Sequence, residues 1–440
     1  MLVPVALIVI AACLRFVNLA EPPRLYFDEV FYANDARSML ESGVEVERPA
    51  HPPVGKWLIA AGIAVLGFEP LGWRVASATA GTLTVLVTYL AAWRLFRRRW
   101  PAALAALLVA VDGLALTMSR IAMLDVFVGL FVVTGFWLVA VALDDRRSPG
   151  RFLALAGVAF GLGVATKWSA VFALVTALAV VLVSQLRQVR RNRAGGRAMA
   201  RGVGVAALCL GVMPIAVYVL GYTGWFANYH HSDAGRDRCP EGGCDVGMTE
   251  RARVWWEEQL ELVDYHQRLP TTHPYRSSAT TWQLMPRPVL YYFERCTNEQ
   301  VQAGEPCAVG VGNRAKILGL GNPVVWWTGL LAYPVVAWSA LVRRRGSALV
   351  LLVFLLGQYM PWLLVGKDGY FFYATPLVPF VAMSVAHLCI RADVSRRLRW
   401  VPGGVAGLAL VALVYFLPIW SGVELPRSVL EARMWLDSWR

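Results

Sequence analysis

Apolar stretches of about 20 residues, long enough to cross a bilayer as a helix, alternate with short polar connections along most of the chain. The pattern predicts about eleven spanning helices. They are predicted at 2–19, 75–95, 101–118, 123–143, 151–166, 168–186, 202–222, 323–342, 347–365, 370–390 and 400–420. The division of 151–186 into two helices is open, because the first of them is short. Two long polar segments, 20–74 and 223–322, interrupt the alternation.

The composition favours a membrane protein over a soluble one. Charged residues make up only 16% of the chain and hydrophobic residues 57%, whereas about a quarter of a soluble domain is charged. The formal net charge of +13 would fit a nucleic-acid partner, but the arginines lie in short runs between the apolar stretches. These runs are Arg94 with Arg97 to Arg99, Arg146 and Arg147, the segment 187–201, Arg343 to Arg345, and the segment 391–399. We therefore predict an all-α integral membrane protein with no nucleic-acid partner.

The arginine runs also indicate which side of the membrane each connection occupies. Cytoplasmic loops carry an excess of Lys and Arg. A cytoplasmic N-terminus places every run inside and both long polar segments outside. The first apolar stretch could instead be a cleaved signal peptide, but Arg15 interrupts it and no basic segment precedes it. We predict a multi-pass plasma-membrane protein whose chemistry lies on the extracytoplasmic side.

This topology divides the chain into three parts. Residues 1–222 form an N-terminal membrane module, which includes the outer segment 20–74 and carries the catalytic residues. Residues 223–322 form a large extracytoplasmic loop. Residues 323–440 contain the remaining spanning helices and a short outer tail.

Four cysteines lie in the large outer loop. An even number of cysteines in an oxidising compartment indicates disulfides. Among the three connectivities, we predict the near pairs Cys239–Cys244 and Cys296–Cys307. No metal-site spacing such as paired CxxC is present in the sequence, so no metal ligands are predicted.

Two adjacent carboxylates, Asp28 and Glu29, lie among four aromatic residues just beyond the first predicted helix. Apolar surroundings can raise the pKa of a carboxyl group, and such a group can act as a base. The alternative is a solvated acid at the N-terminus of a helix.

Further along the same outer segment, His51 and Lys56 flank two prolines and a short apolar stretch at 54–68. This stretch is short for a span and predicts an interfacial helix, with Lys56 at headgroup depth. Simple anchoring is the alternative to a functional role. Arg74 opens the next spanning helix at the outer surface.

Three more ionisable residues, Arg120, Asp125 and Lys167, lie at the outer ends of predicted spans. Ionisable groups at membrane depth are costly and are usually functional or paired. Arg120 and Asp125 could form a structural pair. Lys167 could bind a phosphate as a point charge or simply extend to the interface.

The large loop adds aromatic residues beside arginine, including Trp282 and Arg287. This combination suits sugar stacking and anion binding, but it also suits a membrane-interface belt. On the predicted topology, the acids and cations of all these segments lie on one side of the membrane. Their convergence indicates a site for an anionic, membrane-embedded substrate.

Several short motifs, in their order and spacing, resemble the protein O-mannosyltransferases, in particular the bacterial branch of actinobacterial type. The motifs are Phe27-Asp28-Glu29 with Tyr32, His51-Pro52-Pro53 with Gly55-Lys56, Gly72-Trp73-Arg74, Arg120 with Leu124-Asp125, Thr166-Lys167-Trp168, Arg287-Pro288-Val289, Gly321-Asn322-Pro323 with Trp326-Trp327, and Pro361-Trp362 with Tyr370 to Tyr373. The similarity runs over nearly the whole chain. It implies a type C glycosyltransferase fold with an active site at the outer surface.

The resemblance implies a polyprenyl-phosphate mannose donor and, as acceptor, a Ser or Thr hydroxyl of a secreted or membrane protein. It also implies inversion at the transferred sugar. The soluble β-trefoil insertion of eukaryotic members is not expected in 223–322, which is too short for it. The leaving group is a lipid monophosphate, so no cofactor is required, although Asp28 and Glu29 could bind a divalent metal. Coupling to the secretion translocon is left open.

The resemblance also suggests roles for the candidate residues. Asp28 is the predicted general base, and Glu29 would orient the acceptor or tune Asp28. The phosphate needs nearby cations, and the candidates are Arg120, Lys167, His51 and Lys56. The remaining predictions are that Asp125 holds Arg120 in place, that Arg74 supports the site, and that Tyr32, Trp282 and Arg287 contact the acceptor or the sugar.

Three other functions are alternatives to this prediction. A related glycosyltransferase acting on a glycolipid or cell-wall polymer would share the fold and the donor site and differ in the acceptor groove, which 223–322 would shape. A transporter of lipid-linked sugars should carry polar or broken helices near the bilayer midplane, often in repeated halves. A membrane scaffold would not need so many convergent charges. The ionisable residues of this chain concentrate at the outer edge, which favours an enzyme.

Overall fold

A computed structural model describes residues 2–45, 50–145, 148–192, 196–239, 246–268, 273–364 and 369–440. Most of them lie in helices. The first α-helices are α1 (Leu2–Phe16), α2 (Glu29–Ser42), α3 (Val54–Leu66), α4 (Pro70–Phe96), α5 (Arg99–Ala110), α6 (Gly113–Ser119), α7 (Asp125–Asp144), α8 (Pro149–Val164), α9 (Val171–Asn192), α10 (Gly196–Ala207) and α11 (Met213–Gly221).

The second half of the chain alternates long helices with shorter elements. Its α-helices are α12 (Thr223–Ala227), α13 (Asp233–Arg238), α14 (Met248–Arg268), α15 (Asn298–Gln302), α16 (Pro323–Leu341), α17 (Gly346–Leu364), α18 (Val378–Asp393), α19 (Val401–Ser421) and α20 (Arg427–Glu431). Its strands are β1 (Val289–Arg295), β2 (Asn313–Gly319) and β3 (Leu425–Pro426). Short 3₁₀ turns also occur at Trp168–Ala170, Tyr229–His231, Ala279–Leu284, Phe371–Leu377 and Asp437–Trp439.

Eight helices in the described part of the chain are long and apolar enough to cross a membrane, and α5 with α6 adds a ninth if the pair is one span. Each predicted span contains a helix. Two of them, α1 and α8, are shorter than the others. The chain is therefore a multi-pass membrane protein, as predicted.

The span at 101–118 is broken, with a bend of 60° between α5 and α6. Asp112 lies at the break, where its carboxylate accepts a hydrogen bond from Ala115 N at 2.9 Å. The buried Arg15 of α1 donates to the carbonyl oxygens of Val109 and Ala110 at 3.5 and 3.4 Å. A break inside a membrane leaves backbone groups without partners, and these two side chains supply partners.

The large loop and the C-terminal tail share an antiparallel sheet in the order β1-β2-β3. The sequence analysis did not predict these strands, because the aromatic run of β1 also fits a membrane-interface belt. In β3, Leu425 and Pro426 pair with Arg314 and Asn313 of β2. The tail therefore packs against the loop.

The long helix α4 separates two groups of charged residues. Arg74 lies near its first turn and Arg94 near its last, about 30 Å apart at 1.5 Å per residue. At the far end, Arg94 lies 3.2 Å from Asp144, and Arg97 pairs with the same carboxylate. The candidate catalytic residues lie at the Arg74 end.

Candidate active site

Asp28 lies directly before α2, where its backbone carbonyl accepts hydrogen bonds from Phe31 N and Tyr32 N. Its carboxylate makes no capping hydrogen bond to the helix, so the alternative of a capping acid is wrong. Burial raises the pKa of Asp28, the charge of Lys167 lowers it and the charge of Asp125 raises it, and together these effects bring the pKa to about 6. A carboxyl group with this pKa can accept a proton near neutral pH.

Glu29 is fully buried and paired with Arg74. The guanidinium donates to both carboxylate oxygens, at 2.8 and 3.0 Å, and Ala122 N donates to one of them at 2.8 Å. Because the carboxylate is enclosed and fully engaged, this geometry does not support the predicted contact between Glu29 and the acceptor, and the predicted tuning of Asp28 stays a prediction. The predicted supporting position of Arg74 agrees with this geometry.

Lys167 and Asp125 form the second buried ion pair of the site. Lys167 Nζ lies 3.0 and 2.9 Å from the two carboxylate oxygens of Asp125. The ammonium also lies 4.5 Å from the ring centre of Tyr373 and 5.4 Å from that of Phe372. Aromatic faces attract a cation electrostatically. These contacts place one fixed positive charge close to Asp28.

Arg120 does not pair with Asp125, and that prediction is wrong. Its guanidinium donates instead to carbonyl oxygens at the end of α1, at distances of 2.8 to 3.1 Å. The four acceptors belong to Leu14, Arg15, Val17 and Asn18. The last carbonyl groups of a helix lack partners within the helix, so Arg120 completes the end of α1. This geometry does not support the predicted contact with phosphate.

Lys56 is buried rather than extended to the headgroups. Its ammonium lies 3.0 Å from carboxylate oxygens of both Asp35 and Glu45, and its side chain is 1% exposed. The predicted helix at 54–68 is present as α3. The sequence analysis missed both acids, because each lies apart from any recognisable motif. Their engagement of Lys56 leaves the predicted phosphate contact without support.

His51 lies between Tyr32 and a histidine of the large loop. Its ring centre is 6.3 Å from that of Tyr32 and 5.4 Å from that of His266, whose ring is nearly parallel. His266 lies at the end of α14, and one of its ring nitrogens is 2.8 Å from Ala50 O. The structure thus brings His51 and Tyr32 together and adds His266, a residue of the large loop that the sequence analysis did not single out.

Trp282 and Arg287, the two residues of the large loop that were predicted to contact the acceptor or the sugar, lie in different surroundings. Trp282 is only 1% exposed, and its indole nitrogen donates to Ser277 Oγ at 3.1 Å. Its ring packs near Tyr359 and Trp362, so this geometry does not support the predicted contact with the acceptor or the sugar. Arg287 is exposed and donates to Pro274 O at 3.3 Å.

Tyr291 is a site residue that the sequence analysis did not single out. It lies at a bulge in β1, and its ring packs edge-on against Phe27 with centroids 4.8 Å apart. Burial raises the pKa of Tyr291 well above its usual value, and the nearby carboxylates of Asp125 and Asp28 add to the effect. Bulges re-aim side chains next to active sites, but no local sequence signal marks this one.

One predicted disulfide is present, between Cys296 and Cys307. The other predicted pair, Cys239–Cys244, involves a residue outside the described part of the chain. Across the described residues, no cluster of three His, Cys, Asp or Glu side chains could hold a metal ion.

Two family models match this chain. Residues 50–218 match the dolichyl-phosphate-mannose-protein mannosyltransferases, and residues 252–439 match the C-terminal four-helix region of protein O-mannosyltransferases. A polyprenol-phosphate-mannose–protein mannosyltransferase of Mycobacterium tuberculosis is 31% identical, over 98% of this chain and 90% of its own length. Its counterpart in Corynebacterium glutamicum is 29% identical, over 94% and 88%.

Solved structures show the same fold. The protein O-mannosyltransferase Pmt1–Pmt2 complex of Saccharomyces cerevisiae, bound to its sugar donor, superposes with a TM-score of 0.85 at 13% identity, covering 99% of this chain and 92% of that one. ArnT of Cupriavidus metallidurans gives a TM-score of 0.56 at 17% identity, covering 94% and 63%. The predicted type C glycosyltransferase fold is confirmed.

Proposed function

Because this chain belongs to the protein O-mannosyltransferase family, we propose that it transfers mannose from a polyprenyl-phosphate mannose to Ser or Thr hydroxyls of exported proteins. The observation that carries the proposal is the half-buried Asp28, whose pKa is raised to about 6 and which lies near the ion pair of Lys167 and Asp125. A proton acceptor and a fixed cation are the two groups that this transfer needs.

The reaction is a single displacement at C1 of mannose. Asp28 removes the proton of the acceptor hydroxyl, and the hydroxyl oxygen forms a bond to C1 as the bond from C1 to the phosphate oxygen breaks. The electron pair of the broken bond leaves with the polyprenyl monophosphate, and the sugar configuration inverts. Lys167 stabilises the negative charge that develops on the leaving oxygen, and Asp125 holds the ammonium in place.

The leaving monophosphate needs only modest charge stabilisation. Lys167 supplies one positive charge, and the neighbouring His51 supplies a ring N–H. We propose that no divalent metal takes part, since no pyrophosphate has to be neutralised.

The arginine clusters support an orientation for this reaction. Arg94 and Arg97 lie at the opposite end of α4 from Arg74 and the candidate site. Since basic residues stay on the cytoplasmic side, the site faces the extracytoplasmic side of the plasma membrane, where exported proteins emerge.

The test uses purified protein with radiolabelled polyprenyl-phosphate mannose and a peptide rich in Ser, Thr, Pro and Ala. Wild type is compared with Asp28→Asn and with Glu41→Gln, a control in which an exposed acid of the following helix α2 is changed. Label on the peptide with wild type and Glu41→Gln, but not with Asp28→Asn, supports the proposal.

Other outcomes of this test separate the alternatives. Peptide label with all three proteins keeps the function and rejects Asp28 as the base. Donor consumption with label only in lipid or polymer points to a different acceptor class. No donor consumption by folded wild type rejects an enzyme of this donor class.

A further inference from the structure

Four rings form a continuous row along one side of the site and connect it to the large loop. Ring centres are 6.3 Å apart for Tyr32 and His51, 5.4 Å for His51 and His266, and 6.0 Å for His266 and Trp168. We infer that His266 is a positioning residue, which holds His51 against the donor phosphate. This inference rests on the function proposed above.

His266 fixes the His51 segment through two separate contacts. One ring nitrogen lies 2.8 Å from the carbonyl oxygen of Ala50, so this nitrogen carries the proton and donates. The ring plane is 20° from that of His51, which is close to parallel stacking. The hydrogen bond sets the backbone directly before His51, and the stacking sets the orientation of its ring.

The same segment is held from its other side by the turn that carries Lys167. Val54 N donates to Ala165 O at 3.0 Å, two residues before Lys167. Pro52 and Pro53 restrict the backbone between the two attachment points. His51 is therefore held between the end of α14 and the Lys167 turn, and His266 is the attachment that the large loop provides.

The charge state of the rings explains why position matters. Burial lowers the pKa of both His51 and His266, and the charge of Lys167 lowers both further. Both imidazoles are therefore neutral at pH 7. A neutral ring offers phosphate a single N–H, and a hydrogen bond weakens steeply when its angle is poor. Lys167 supplies charge that tolerates small shifts, whereas the contribution of His51 depends on its orientation.

The experiment uses the full-length protein in nanodiscs and two readouts. The first is the Kd for polyprenyl monophosphate, which reports on the phosphate site without any transfer. The second is the split between donor KM and kcat. His266→Phe keeps a ring but removes the donor N–H, His266→Gln keeps an N–H donor, and His231→Phe changes an exposed histidine of the same loop as the control.

We expect His266→Phe to raise the Kd and the donor KM about tenfold, the effect of one lost hydrogen bond, with kcat within about twofold of wild type. His266→Gln should recover part of the loss, and His231→Phe should match wild type. Since His266 acts through His51, the double variant His51→Ala/His266→Phe should bind no more weakly than His51→Ala alone. His266→Ala replaces the Phe variant if the latter does not fold.

An unchanged Kd in His266→Phe, or losses that add in the double variant, would overturn the inference. A Kd that responds as expected while wild type labels no peptide would reject the proposed acceptor and keep the positioning role. Normal peptide labelling by His266→Phe at wild-type KM would reject the positioning role alone.

Discussion

Arg74 binds both carboxylate oxygens of Glu29, and neither side chain has any exposed surface. The guanidinium also donates to the carbonyl oxygens of Leu19, Pro22 and Arg24 at 2.9 to 3.1 Å. Arg74 thus fixes the chain on both sides of the turn that presents Asp28. The acid next to the predicted base acts as an anchor for that turn rather than as a second reacting group.

We expect Arg74→Met to destabilise the protein by about 3–5 kcal/mol, because it leaves a buried carboxylate without its partner. Glu29→Gln should destabilise the protein less. The amide oxygen can still accept a hydrogen bond from the guanidinium, and the three hydrogen bonds from Arg74 to backbone carbonyl groups remain. Melting temperatures of the purified variants measure both effects.

The matched control for these variants is Arg37→Met, which breaks an exposed ion pair with Glu41. Exposed pairs contribute about 0–1 kcal/mol, so this variant should melt like wild type. An equal drop in melting temperature for Arg37→Met and Arg74→Met would contradict the anchoring role of Arg74.

Substitutions of Arg120 and of Lys167 should differ in their effect on donor binding. Arg120→Met removes four hydrogen bonds to the end of α1 and should lower the melting temperature, with the donor KM of the folded fraction unchanged. Lys167→Met removes the cation whose charge acts on Asp28 and should raise the donor KM by about tenfold or more. Steady-state kinetics at saturating peptide distinguish the two, and a raised KM in Arg120→Met would restore the phosphate role for this residue.

The sequence alone predicted where the membrane-spanning helices lie. A long apolar run in a chain with few charged residues is seldom anything other than a spanning helix. It also predicted that Asp28, His51 and Lys167 lie close together, because a membrane topology brings helix ends on the same side together, and Lys167 lies close enough to affect the pKa of both other groups. It could not decide which charges pair. Asp125 has a cation five positions earlier in the sequence, yet its partner lies 42 positions later.

Which side chains pair with each other depends on how distant segments pack together in the fold. No local sequence pattern contains that information. Arg120 satisfies carbonyl groups that become free only because α1 ends beside it. Trp282 resembles a sugar platform in sequence, but α17 covers it through Tyr359 and Trp362. A motif identifies the residues that matter and leaves the direction of each side chain open.

Lys56 should stabilise the fold more at high pH than at low pH. Burial raises the pKa of Glu45 to about 7, even though Lys56 lowers it. In Lys56→Met the pKa of Glu45 rises further above its unfolded value, so the folded state binds more protons than the unfolded state between the two values. Stability then falls as pH rises through this window.

The melting temperature of Lys56→Met, compared with wild type, should therefore drop further at pH 8 than at pH 5.5. Lys316→Met, which changes a cation of β2 away from Glu45, is the control and should show no such difference. A pH-independent loss in Lys56→Met would mean that Glu45 is not the acid left without a partner.

Removal of divalent metal ions with a chelator should leave the rate of mannose transfer unchanged. If Lys167 and His51 suffice for the leaving monophosphate, millimolar EDTA will not alter the rate of peptide labelling by the purified protein. Loss of activity in EDTA, with recovery on adding Mg²⁺ or Mn²⁺, would show that a metal takes part and would place Asp28 among its candidate ligands.

The pH dependence of kcat/KM should report the ionisation of Asp28. A base works only when deprotonated, and burial raises the pKa of this carboxyl group to about 6. The rate should therefore be constant above pH 7 and fall about tenfold per unit well below pH 6. Lys167→Met removes the charge that lowers this pKa, so its residual activity should fall off at a higher pH than that of wild type.

Glu41→Gln, in which an exposed acid of α2 is changed, should keep the wild-type profile. A midpoint near 4 in wild type, or no shift in Lys167→Met, would assign the ionisation to another group.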